Sequence, residues 1–365
     1  MNKTHSLSAA PERDAEQSAA APPRVWALTS YRCGENTQIL ALAQALGLPY
    51  EVKRLTYRVH DFLPGLLRRP SLAGLDREAS SPLAPPWPDL LISAGMRNEP
   101  VCRWIKQQSP RTRLVHIGRT WAAPEHFDLI ITTPQYRLPA RDNILHNITT
   151  MQRIDECLLN AAARAWAPRL AHLPGPYLAV MIGGNSGPYT FGPRAARHLA
   201  AAVNRLWGKT GGSLLISTSA RTPHTAIDAL AAAIDCPLHL YRWRPEDPDN
   251  PYLGFLALAQ AIVVTSDSIA MLSEACATGK PLHIFDMGQA PEDFHLGALL
   301  YRQLMRFGPR RLSRDVELVH QQLIAGGHAV WLGDQPALPA GGPPLDDMAR
   351  TVQRIHELLN NAATT

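Results

Sequence analysis

The sequence predicts an α/β protein of two doubly wound domains, each a parallel β-sheet covered by helices on both faces, with a cleft between the domains. Strand-like and helix-like segments alternate from residue 25 to residue 285, and a stretch rich in Pro and Gly at 168–176 interrupts the alternation near its middle. Repeated strand–helix units of this size form parallel sheets. The length of 365 residues agrees with two domains, at about 150 residues each.

The elements of the first half follow from apolar runs and from apolar residues at helical spacing. Strands are predicted at 25–30, 50–55, 89–94, 113–117, 127–132 and 143–148, and helices at 35–46 and 151–164. In the first helix, Ile39, Ala43 and Leu46 share one face. A Pro-, Gly- and Arg-rich excursion at 62–76 interrupts the alternation.

The second half repeats the alternation. Strands are predicted at 177–183, 213–219, 238–241, 261–265 and 281–285, and helices at 193–207, 222–234, 251–259, 268–277, 292–307 and 346–360. Leu199, Val203 and Leu206 share one face of the helix at 193–207, which is the pattern of a helix packed on a sheet.

Changes in composition place the domain boundaries. Residues 1–23 are polar and lack the apolar stretch of a secretory signal, which predicts a disordered tail. The punctuation at 168–176 predicts an N-terminal domain at 24–168 and a C-terminal domain at 175–345. Residues 346–365 form the last helix, for which packing back on the N-terminal domain is one option.

Charge and cysteine content exclude several classes of protein. The formal net charge is +5, and only five of the 36 basic residues are Lys, so arginine predominates, which suits phosphate ligands or an anionic membrane surface. No zinc-finger spacing or aromatic–basic repeat points to nucleic acid. The five cysteines form no C-x-x-C pair, which argues against disulfides and zinc and favours a reducing cytoplasm. No apolar run reaches the ~18–20 residues of a membrane-spanning helix.

The strongest candidate site lies after the strand predicted at 261–265. Ser266, Asp267 and Ser268 suit the start of a helix, whose free N–H groups and positive dipole end favour a diphosphate. Glu274 lies six residues into that helix, where its carboxylate could accept hydrogen bonds from ribose hydroxyls. A well-capped helix with a solvated Glu274 is the alternative.

Two more polar loops follow strands of the same half. Gly183 and Gly184 permit close backbone approach, and Asn185 and Ser186 supply donors. Ser219, Arg221 and Thr222 are candidate phosphate ligands. Each loop alone is also compatible with an ordinary strand–helix connection. Because ligands of open α/β sheets bind at the carboxyl edge of the strands, the three loops together favour a nucleotide site.

The first half contributes candidates on the other side of the presumed cleft. Glu35 and Asn36 follow the first strand and are candidates for proton transfer or acceptor binding, with Glu35 as the catalytic group. A glutamate in a first helical turn is also favoured by the helix dipole alone. Arg97 follows a later strand and is a candidate contact for the second substrate.

No metal and no cofactor are expected. Asp247 and Asp249 form a D-x-D sequence, but it lies in a proline-rich loop instead of at the end of an apolar strand. We therefore do not interpret it as a metal site.

Several of these segments together resemble one family. The segments NPY (250–252), GGNSG, TSARTP and 263–285 are similar to the mitochondrial-fission "elongated mitochondria" family, whose bacterial members are often labelled predicted nucleoside-diphosphate-sugar epimerases. That family is similar to the two-domain GT-B glycosyltransferases and to the UDP-N-acetylglucosamine 2-epimerases. The resemblance implies two Rossmann-like domains in a GT-B arrangement, with the nucleotide-sugar on the C-terminal domain and the acceptor on the N-terminal domain.

The sequence also departs from those relatives. Ile269 and Ala270 replace two glycines of the epimerase motif, so the approach of the phosphates differs there. Gln135, Tyr136 and Arg137 stand where a His-Asp pair is expected after the preceding proline.

Three functions follow as hypotheses. The first is a metal-independent glycosyltransferase that uses a nucleotide-sugar donor in cell-envelope polysaccharide or glycolipid synthesis. The second is a nucleoside-diphosphate-sugar epimerase, which would need paired carboxylates; Glu35, Glu99 and Asp142 are the candidates. The third is a non-catalytic adaptor of the mitochondrial-fission type. The sugar, the acceptor and the oligomeric state stay open.

A cytoplasmic protein of this charge could also contact an anionic membrane peripherally. Two basic segments suggest it: Arg302, Arg306, Arg310, Arg311 and Arg314 within thirteen residues, and Leu66, Leu67, Arg68 and Arg69. An ordinary solvated helix end is the alternative, because arginine is favoured near a helix C-terminus.

Overall fold

The computed structural model describes residues 22–58, 69–288, 296–307, 314–333 and 345–363. They form two six-stranded sheets in which every strand pair is parallel, with helices between the strands. The predicted fold class is confirmed.

The first sheet has the strand order β2-β1-β3-β4-β5-β6. Its strands are β1 (Val25–Thr29), β2 (Tyr50–Arg54), β3 (Leu90–Ala94), β4 (Arg113–Ile117), β5 (Leu129–Thr132) and β6 (Ile144–His146), with helices α1 (Cys33–Ala45) and α2 (Asn98–Gln108). Ile39 of α1 and Cys102 of α2 belong to different core clusters, because the two helices cover opposite faces of the sheet. The connections after β1 and after β3 therefore run on opposite faces and lead away from each other, so the direction in which the sheet is wound reverses between these two strands.

The second sheet has the order β12-β11-β10-β7-β8-β9. Its strands are β7 (Tyr177–Met181), β8 (Ser213–Ser217), β9 (Leu238–Tyr241), β10 (Ala261–Thr265), β11 (Leu282–Phe285) and β12 (Val330–Trp331). The remaining helices are α3 (Glu156–Leu170), α4 (Pro193–Trp207), α5 (His224–Ala231), α6 (Tyr252–Leu258), α7 (Ile269–Ala277), α8 (Leu296–Phe307), α9 (Glu317–Ala325) and α10 (Asp347–Ala363). Leu199 of α4 and Leu272 of α7 lie in different clusters, so winding reverses between β7 and β10.

The chain crosses between the halves at two adjacent segments. Leu159 and Trp166 of α3 pack with the core of the second sheet, so the chain crosses before the proline-rich stretch at which the sequence places the boundary. Ile355 of α10 packs in the core of the first sheet. The Asp347 carboxylate accepts the Thr149 N–H at 2.7 Å, which ties the two crossings together.

Several elements differ from the predicted ones. Helix α3 begins at Glu156 instead of Met151, since the Asp155 carboxylate caps it by accepting the Leu158 N–H at 2.7 Å. The same helix continues through Pro168, which lies in its last turn, where a missing N–H costs one bond only. The sequence did not predict α2, α9 or β12. The first four residues of the helix predicted at 292–307 lie outside the described residues.

Candidate functional site

Asp267 occupies the crevice where the winding of the second sheet reverses. This residue follows β10, and its side chain is fully buried. Its carboxylate accepts the Thr265 hydroxyl at 2.7 Å and pairs with the Arg221 guanidinium at 3.0 Å. Burial raises the pKa of Asp267 to about 6, and the Arg221 charge opposes this shift. A buried acid thus holds an arginine at the carboxyl edge of the sheet.

Two glycines after β7 make room for this pair. A Cβ added to Gly183 would lie 2.3 Å from Asp267 Oδ2. The Gly183 N–H donates to Thr265 Oγ1 at 2.8 Å. Gly184 has φ +106°, and a Cβ there would lie 2.4 Å from the Arg221 carbonyl oxygen. The sequence predicts that the backbone at these glycines lies close to another group. In the structure, the groups that lie close to it are the Asp267 side chain and the Arg221 backbone.

The neighbouring polar residues shape the glycine loop. The Asn185 side-chain oxygen accepts the Phe191 N–H at 2.8 Å. Ser186 and Tyr189 pair their backbones across a tight turn, with N–H···O distances of 3.1 and 3.0 Å. Asn185 and Ser186 therefore fix the course of the loop from β7 to α4, and their role as donors to a ligand stays a prediction.

The loop after β8 is tied to the glycine loop by its hydroxyls. Ser219 Oγ donates to the Gly183 carbonyl, and Thr222 Oγ1 accepts the Ser219 N–H at 2.9 Å. Both hydroxyls are bonded to the protein itself, whereas the Arg221 side chain is 43% exposed although one of its nitrogens contacts Asp267. Of the three predicted phosphate ligands in this loop, Arg221 is the most exposed.

The start of α7 lies beside this pair. Ser266 Oγ accepts the Met287 N–H at 3.0 Å, and the Ser266 carbonyl is 2.8 Å from Nε2 of the buried His320. Ser268 occupies the N-cap position, but its hydroxyl makes no capping bond, contrary to the expected capping role. The first N–H groups of such a helix lack intrahelical acceptors, so they remain the donors that the sequence predicts at this point.

Glu274 lies on the side of α7 that faces α6. The Tyr252 hydroxyl donates to Glu274 Oε2, and burial raises the pKa of Glu274 while this bond opposes the shift. Burial also raises the pKa of Tyr252 far above its usual value. Tyr252 belongs to the NPY segment that carries the family resemblance, but the sequence alone did not connect it to Glu274.

In the first half, Glu35 lies at the second reversal point, between β1 and β3. A Cβ added to Gly95 would lie 2.0 Å from Glu35 Oε2, so the glycine after β3 makes room for the carboxylate. Arg32 lies 3.4 Å from Glu35 Oε1. Burial raises the pKa of Glu35, and the charges of Arg32 and of Arg314 from the second half oppose the shift. Glu35 is thus a partly buried acid that faces the other half.

The other two first-half candidates differ in what they contact. Both atoms of the Asn36 amide bond to the Ser30 backbone, at 2.8 and 2.7 Å, so this side chain closes the turn after β1. The Arg97 guanidinium lies 5.0 Å from the centre of the Tyr31 ring and 6.0 Å from that of Tyr57. Arg97 therefore packs against two aromatic rings at the reversal point. Asn36 has a structural role, because its amide is fully bonded to the Ser30 backbone.

Residues that the sequence did not assign connect the two halves at the cleft. The Asp315 N–H donates to the Gln135 carbonyl at 2.9 Å, and the Arg137 side chain bonds the Asp315 carboxylate. The Arg119 guanidinium, after β4, lies 5.1 Å from the centre of the Tyr136 ring. A glycine or an arginine within two residues of a strand end, as at Gly95 and Arg119, was the signal that could have found this side of the cleft.

Within the described residues, no group of three or more His, Cys, Asp or Glu side chains could hold a metal ion. Asp247 accepts the Tyr241 hydroxyl at 2.9 Å and pairs with Arg244 at 2.7 Å, and Asp249 pairs with Arg169 at 3.0 Å. Over the same residues, no helix is both long and apolar enough to cross a bilayer.

The fold and these residues define a two-domain α/β protein with a candidate ligand site at each point where the winding reverses. The chain belongs to the mitochondrial fission ELM1 family, whose sequence profile matches residues 33–359. The predicted family resemblance is confirmed.

Two relatives illustrate the range of this family. Mitochondrial fission protein ELM1 of Arabidopsis thaliana is 30% identical over 196 residues, which are 54% of this chain and 42% of that protein. The uncharacterized protein RP120 of Rickettsia prowazekii is 29% identical over 292 residues, which are 72% of this chain and 82% of that protein. The chain thus spans under half the length of the plant relative and most of the bacterial one.

Two solved structures with a similar course of the chain illustrate the fold. MurG of Acinetobacter baumannii is 13% identical, with a TM-score of 0.44 and coverage of 94% of both chains. UDP-GlcNAc 2-epimerase of Methanocaldococcus jannaschii, in complex with UDP-GlcNAc and UDP, is 9% identical, with a TM-score of 0.46 and coverage of 92% of this chain and 99% of that chain.

Proposed function

We propose that this chain is a metal-independent glycosyltransferase of the GT-B type, which takes a nucleotide-sugar donor on its second half and an acceptor on its first half, in cell-envelope polysaccharide or glycolipid synthesis. One observation carries the proposal. Each half has an ionisable side chain at the reversal point of its sheet, Asp267 with Arg221 in one and Glu35 in the other. Ligands of open α/β sheets bind at such points.

Arg221 is the proposed phosphate ligand. One nitrogen of its guanidinium is held by the buried Asp267, and the side chain is 43% exposed. A guanidinium that is fixed on one side can bind an oxyanion with its other N–H groups and loses little entropy in doing so. The start of α7, beside it, adds backbone N–H donors and the positive end of a helix dipole. Together they would stabilise the charge of a departing nucleoside diphosphate.

Glu274 is the proposed ribose ligand. Its Oε2 accepts the Tyr252 hydroxyl, which sets the orientation of the carboxylate. The remaining lone pairs can accept bonds from two ribose hydroxyls, since an ionised carboxylate offers about four acceptor sites. Tyr252 therefore acts in this proposal as a positioning residue for Glu274.

Glu35 is the proposed general base. Burial raises its pKa, which brings a carboxylate closer to the proton affinity that a base needs near neutral pH. In the reaction, Glu35 takes the proton of the acceptor hydroxyl, the acceptor oxygen forms a bond to the anomeric carbon, and the bond from that carbon to the diphosphate oxygen breaks. The released diphosphate keeps the electron pair next to Arg221.

The state of the other acids favours transfer over epimerisation. Glu99 accepts the N–H groups of Trp121 and Ala122 at 2.6 and 2.7 Å and is 2% exposed, so its carboxylate is bound by the backbone. Asp142 precedes β6, at the amino edge of the sheet, opposite to the edge that holds Glu35. Of the three acids that the sequence offers for paired acid–base chemistry, Glu35 alone is available at the cleft.

A two-stage experiment tests the proposal. The full chain is first screened by thermal shift against UDP-, GDP-, dTDP-, ADP- and CMP-sugars, since a ligand at 100 times its Kd stabilises the folded state by about 2.7 kcal/mol. The stabilising donor is then incubated with candidate glycolipid or oligosaccharide acceptors, with the Glu35→Gln variant as control. Release of the nucleotide that depends on acceptor and on Glu35 supports transfer. Conversion to an isomeric nucleotide-sugar without release identifies an epimerase, and stabilisation without turnover favours an adaptor.

A further inference from the structure

Two arginines of the first half lie against the same tyrosine ring at the reversal point between β1 and β3. The Arg97 guanidinium is 5.0 Å from the centre of the Tyr31 ring, and the Arg32 guanidinium is 5.6 Å from it. Arg32 Nε also donates to the Tyr31 hydroxyl at 3.0 Å. Tyr31 is 57% exposed, so both cations are held where a ligand can reach them. One aromatic ring thus orients two positive charges.

The two arginines differ in how their charge is balanced. Arg32 lies 3.4 Å from Glu35 Oε1. Among the described residues, Arg97 makes no ion pair or hydrogen bond through its guanidinium. That group lies 6.0 Å from the centre of a second ring, Tyr57, whose hydroxyl donates to Asn98 Oδ1 at 2.9 Å. Aromatic contacts therefore orient Arg97 and leave its N–H donors for a ligand.

Two more arginines raise the positive charge around Glu35. Arg119 follows β4, and Arg314 comes from the second half and is exposed. Burial lowers the pKa of Arg119, and the charge of Arg314 acts in the same direction. Arg314 also acts on the pKa of Glu35, which it lowers against the effect of burial. Among the described residues, this side of the cleft therefore carries more positive than negative charge.

Arg314 reaches the cleft because its neighbour Asp315 is fixed to the first half. The Asp315 N–H donates to the Gln135 carbonyl at 2.9 Å, and the Asp315 carboxylate bonds Arg137, so it balances Arg137 instead of Arg314. Arg314 is the end of one basic segment that the sequence marks for membrane contact. Residues 66–68, 310 and 311 of the two basic segments lie outside the described residues, so membrane contact stays a prediction.

We propose that Arg32 and Arg97, which we call the arginine pair, bind a phosphate group of the acceptor, close to the hydroxyl whose proton Glu35 takes. A phosphate monoester has three acceptor oxygens and nearly two negative charges, so it can bind two guanidinium groups at once. A carboxylate is already filled by one bidentate arginine. The inference rests on the proposed function only in taking the first half as the acceptor side, and phosphate binding itself needs no donor.

The first test is calorimetric titration of the full chain with inorganic phosphate and, separately, with acetate, at constant ionic strength in chloride buffer. All proteins carry Arg221→Gln, which removes the proposed phosphate ligand of the second half. Phosphate should bind this protein, and adding Arg97→Gln should weaken binding about tenfold or more, as for a lost hydrogen bond between charged groups. Arg111→Gln is the matched control. Arg111 is exposed before β4, at the amino edge of the same sheet, and its loss should leave phosphate binding unchanged.

The second test uses the transfer reaction with Arg221 intact. A phosphorylated acceptor is compared with the same acceptor after phosphatase treatment. Arg97→Gln should raise the KM of the phosphorylated acceptor about tenfold or more and leave kcat/KM of the other acceptor nearly unchanged. Arg97→Lys keeps the charge but loses the planar fork, so it should retain part of the binding. It also replaces Arg97→Gln if the thermal midpoint shows that the glutamine variant does not fold.

Two results of the titration would overturn the proposal. The first is that phosphate does not bind the Arg221→Gln protein, or binds it equally well after Arg97→Gln is added. The second is that acetate binds as tightly as phosphate with the same dependence on Arg97, which would assign the arginine pair to a carboxylate. Absence of donor binding or of turnover would instead contradict the proposed transfer, because the titration contains neither donor nor acceptor.

Discussion

Arg221 Nη2 lies 3.0 Å from Asp267 Oδ2 and links the loop after β8 to the loop after β10 across the end of β7. The pair is asymmetric, because the acid is fully buried and the arginine is 43% exposed. A buried acid of this kind costs stability when it ionises, and it fixes a cation at the edge where a ligand would arrive. The first two predictions concern this relationship.

Asp267→Asn should change how stability depends on pH. The pKa of Asp267 is raised from 3.8 to about 6, so in that interval the folded state retains a proton that the unfolded state releases. The free energy of unfolding should therefore fall as pH rises from about 4 to about 6, by roughly 3 kcal/mol for this group, and stay low above. Urea unfolding of the wild type and of Asp267→Asn across this interval measures the free energy of unfolding at each pH. Asp142→Asn, at an exposed position, is the control and should follow the wild type. Parallel profiles for wild type and Asp267→Asn would contradict the assignment.

Gly183→Ala should destabilise the chain. The new Cβ would lie 2.3 Å from Asp267 Oδ2, so the buried carboxylate must shift away from Arg221. A clash of this kind costs about 1–3 kcal/mol. Gly34→Ala is the matched control, because Gly34 lies in the first turn of α1 with no atom within 4 Å of an added Cβ, so alanine there should not destabilise the chain. Equal thermal midpoints of the two variants would show that Gly183 is not tightly packed.

Glu274→Gln should weaken nucleotide binding by roughly 1–3 kcal/mol, the range for a lost charge-assisted hydrogen bond. Tyr252→Phe should have a different signature. The Tyr252 hydroxyl opposes the rise in the pKa of Glu274, so its loss raises that pKa further and moves the onset of binding to higher pH. Isothermal titration with the best nucleotide from the thermal-shift screen, at several pH values, separates the two. Unchanged affinity in a folded Glu274→Gln protein would remove Glu274 from the site.

Glu35→Gln should lower turnover by about 10²–10⁴-fold and leave donor binding intact. General base catalysis contributes about 10²–10⁴-fold in rate, and glutamine cannot take the acceptor proton. The raised pKa of Glu35 places the acid limb of the wild-type pH–rate profile above the ordinary glutamate value, and the variant should lose that limb. Initial rates against pH and the affinity for the donor, measured for the wild type and for Glu35→Gln, test whether Glu35 acts in proton transfer. A parallel loss of donor affinity would place Glu35 in binding instead of proton transfer.

Activity should persist in EDTA. Arg221 and the start of α7 supply the positive charge that a metal would otherwise bring to the diphosphate. Assays in EDTA, with and without added Mg²⁺ or Mn²⁺, measure this. Arg221→Lys should bind donor more weakly in both conditions, since a point charge cannot replace a guanidinium that contacts Asp267 and phosphate together. Loss of activity in EDTA that Mg²⁺ restores would refute the prediction.

The sequence by itself determined the class of fold and the edge of the sheets at which the candidate site residues lie. Strands such as β10 are runs of apolar residues because both faces of a parallel sheet are covered, and such runs are visible without a structure. Since all strands of each sheet are parallel, Gly183, Arg221 and Asp267 necessarily reach the same edge. The family resemblance rested on the same loops.

Helix α2 was missed because charge interrupts its apolar pattern. Glu99 and Arg103 lie on its buried side, where neighbouring backbone N–H groups and their mutual ion pair make their burial tolerable. A periodicity argument treats such residues as exposed, so it cannot recognise this helix.

Only the tertiary structure decided which atoms of the site meet. It directed the Ser219 and Thr222 hydroxyls to the glycine loop, placed Tyr252 against Glu274, and set Glu35 against Gly95. These partners lie between about twenty and sixty residues apart in the chain and come from different elements. Local patterns report which face of a strand or helix is buried, but the contact between two distant side chains depends on how whole elements pack, and packing is a property of the assembled sheets and helices.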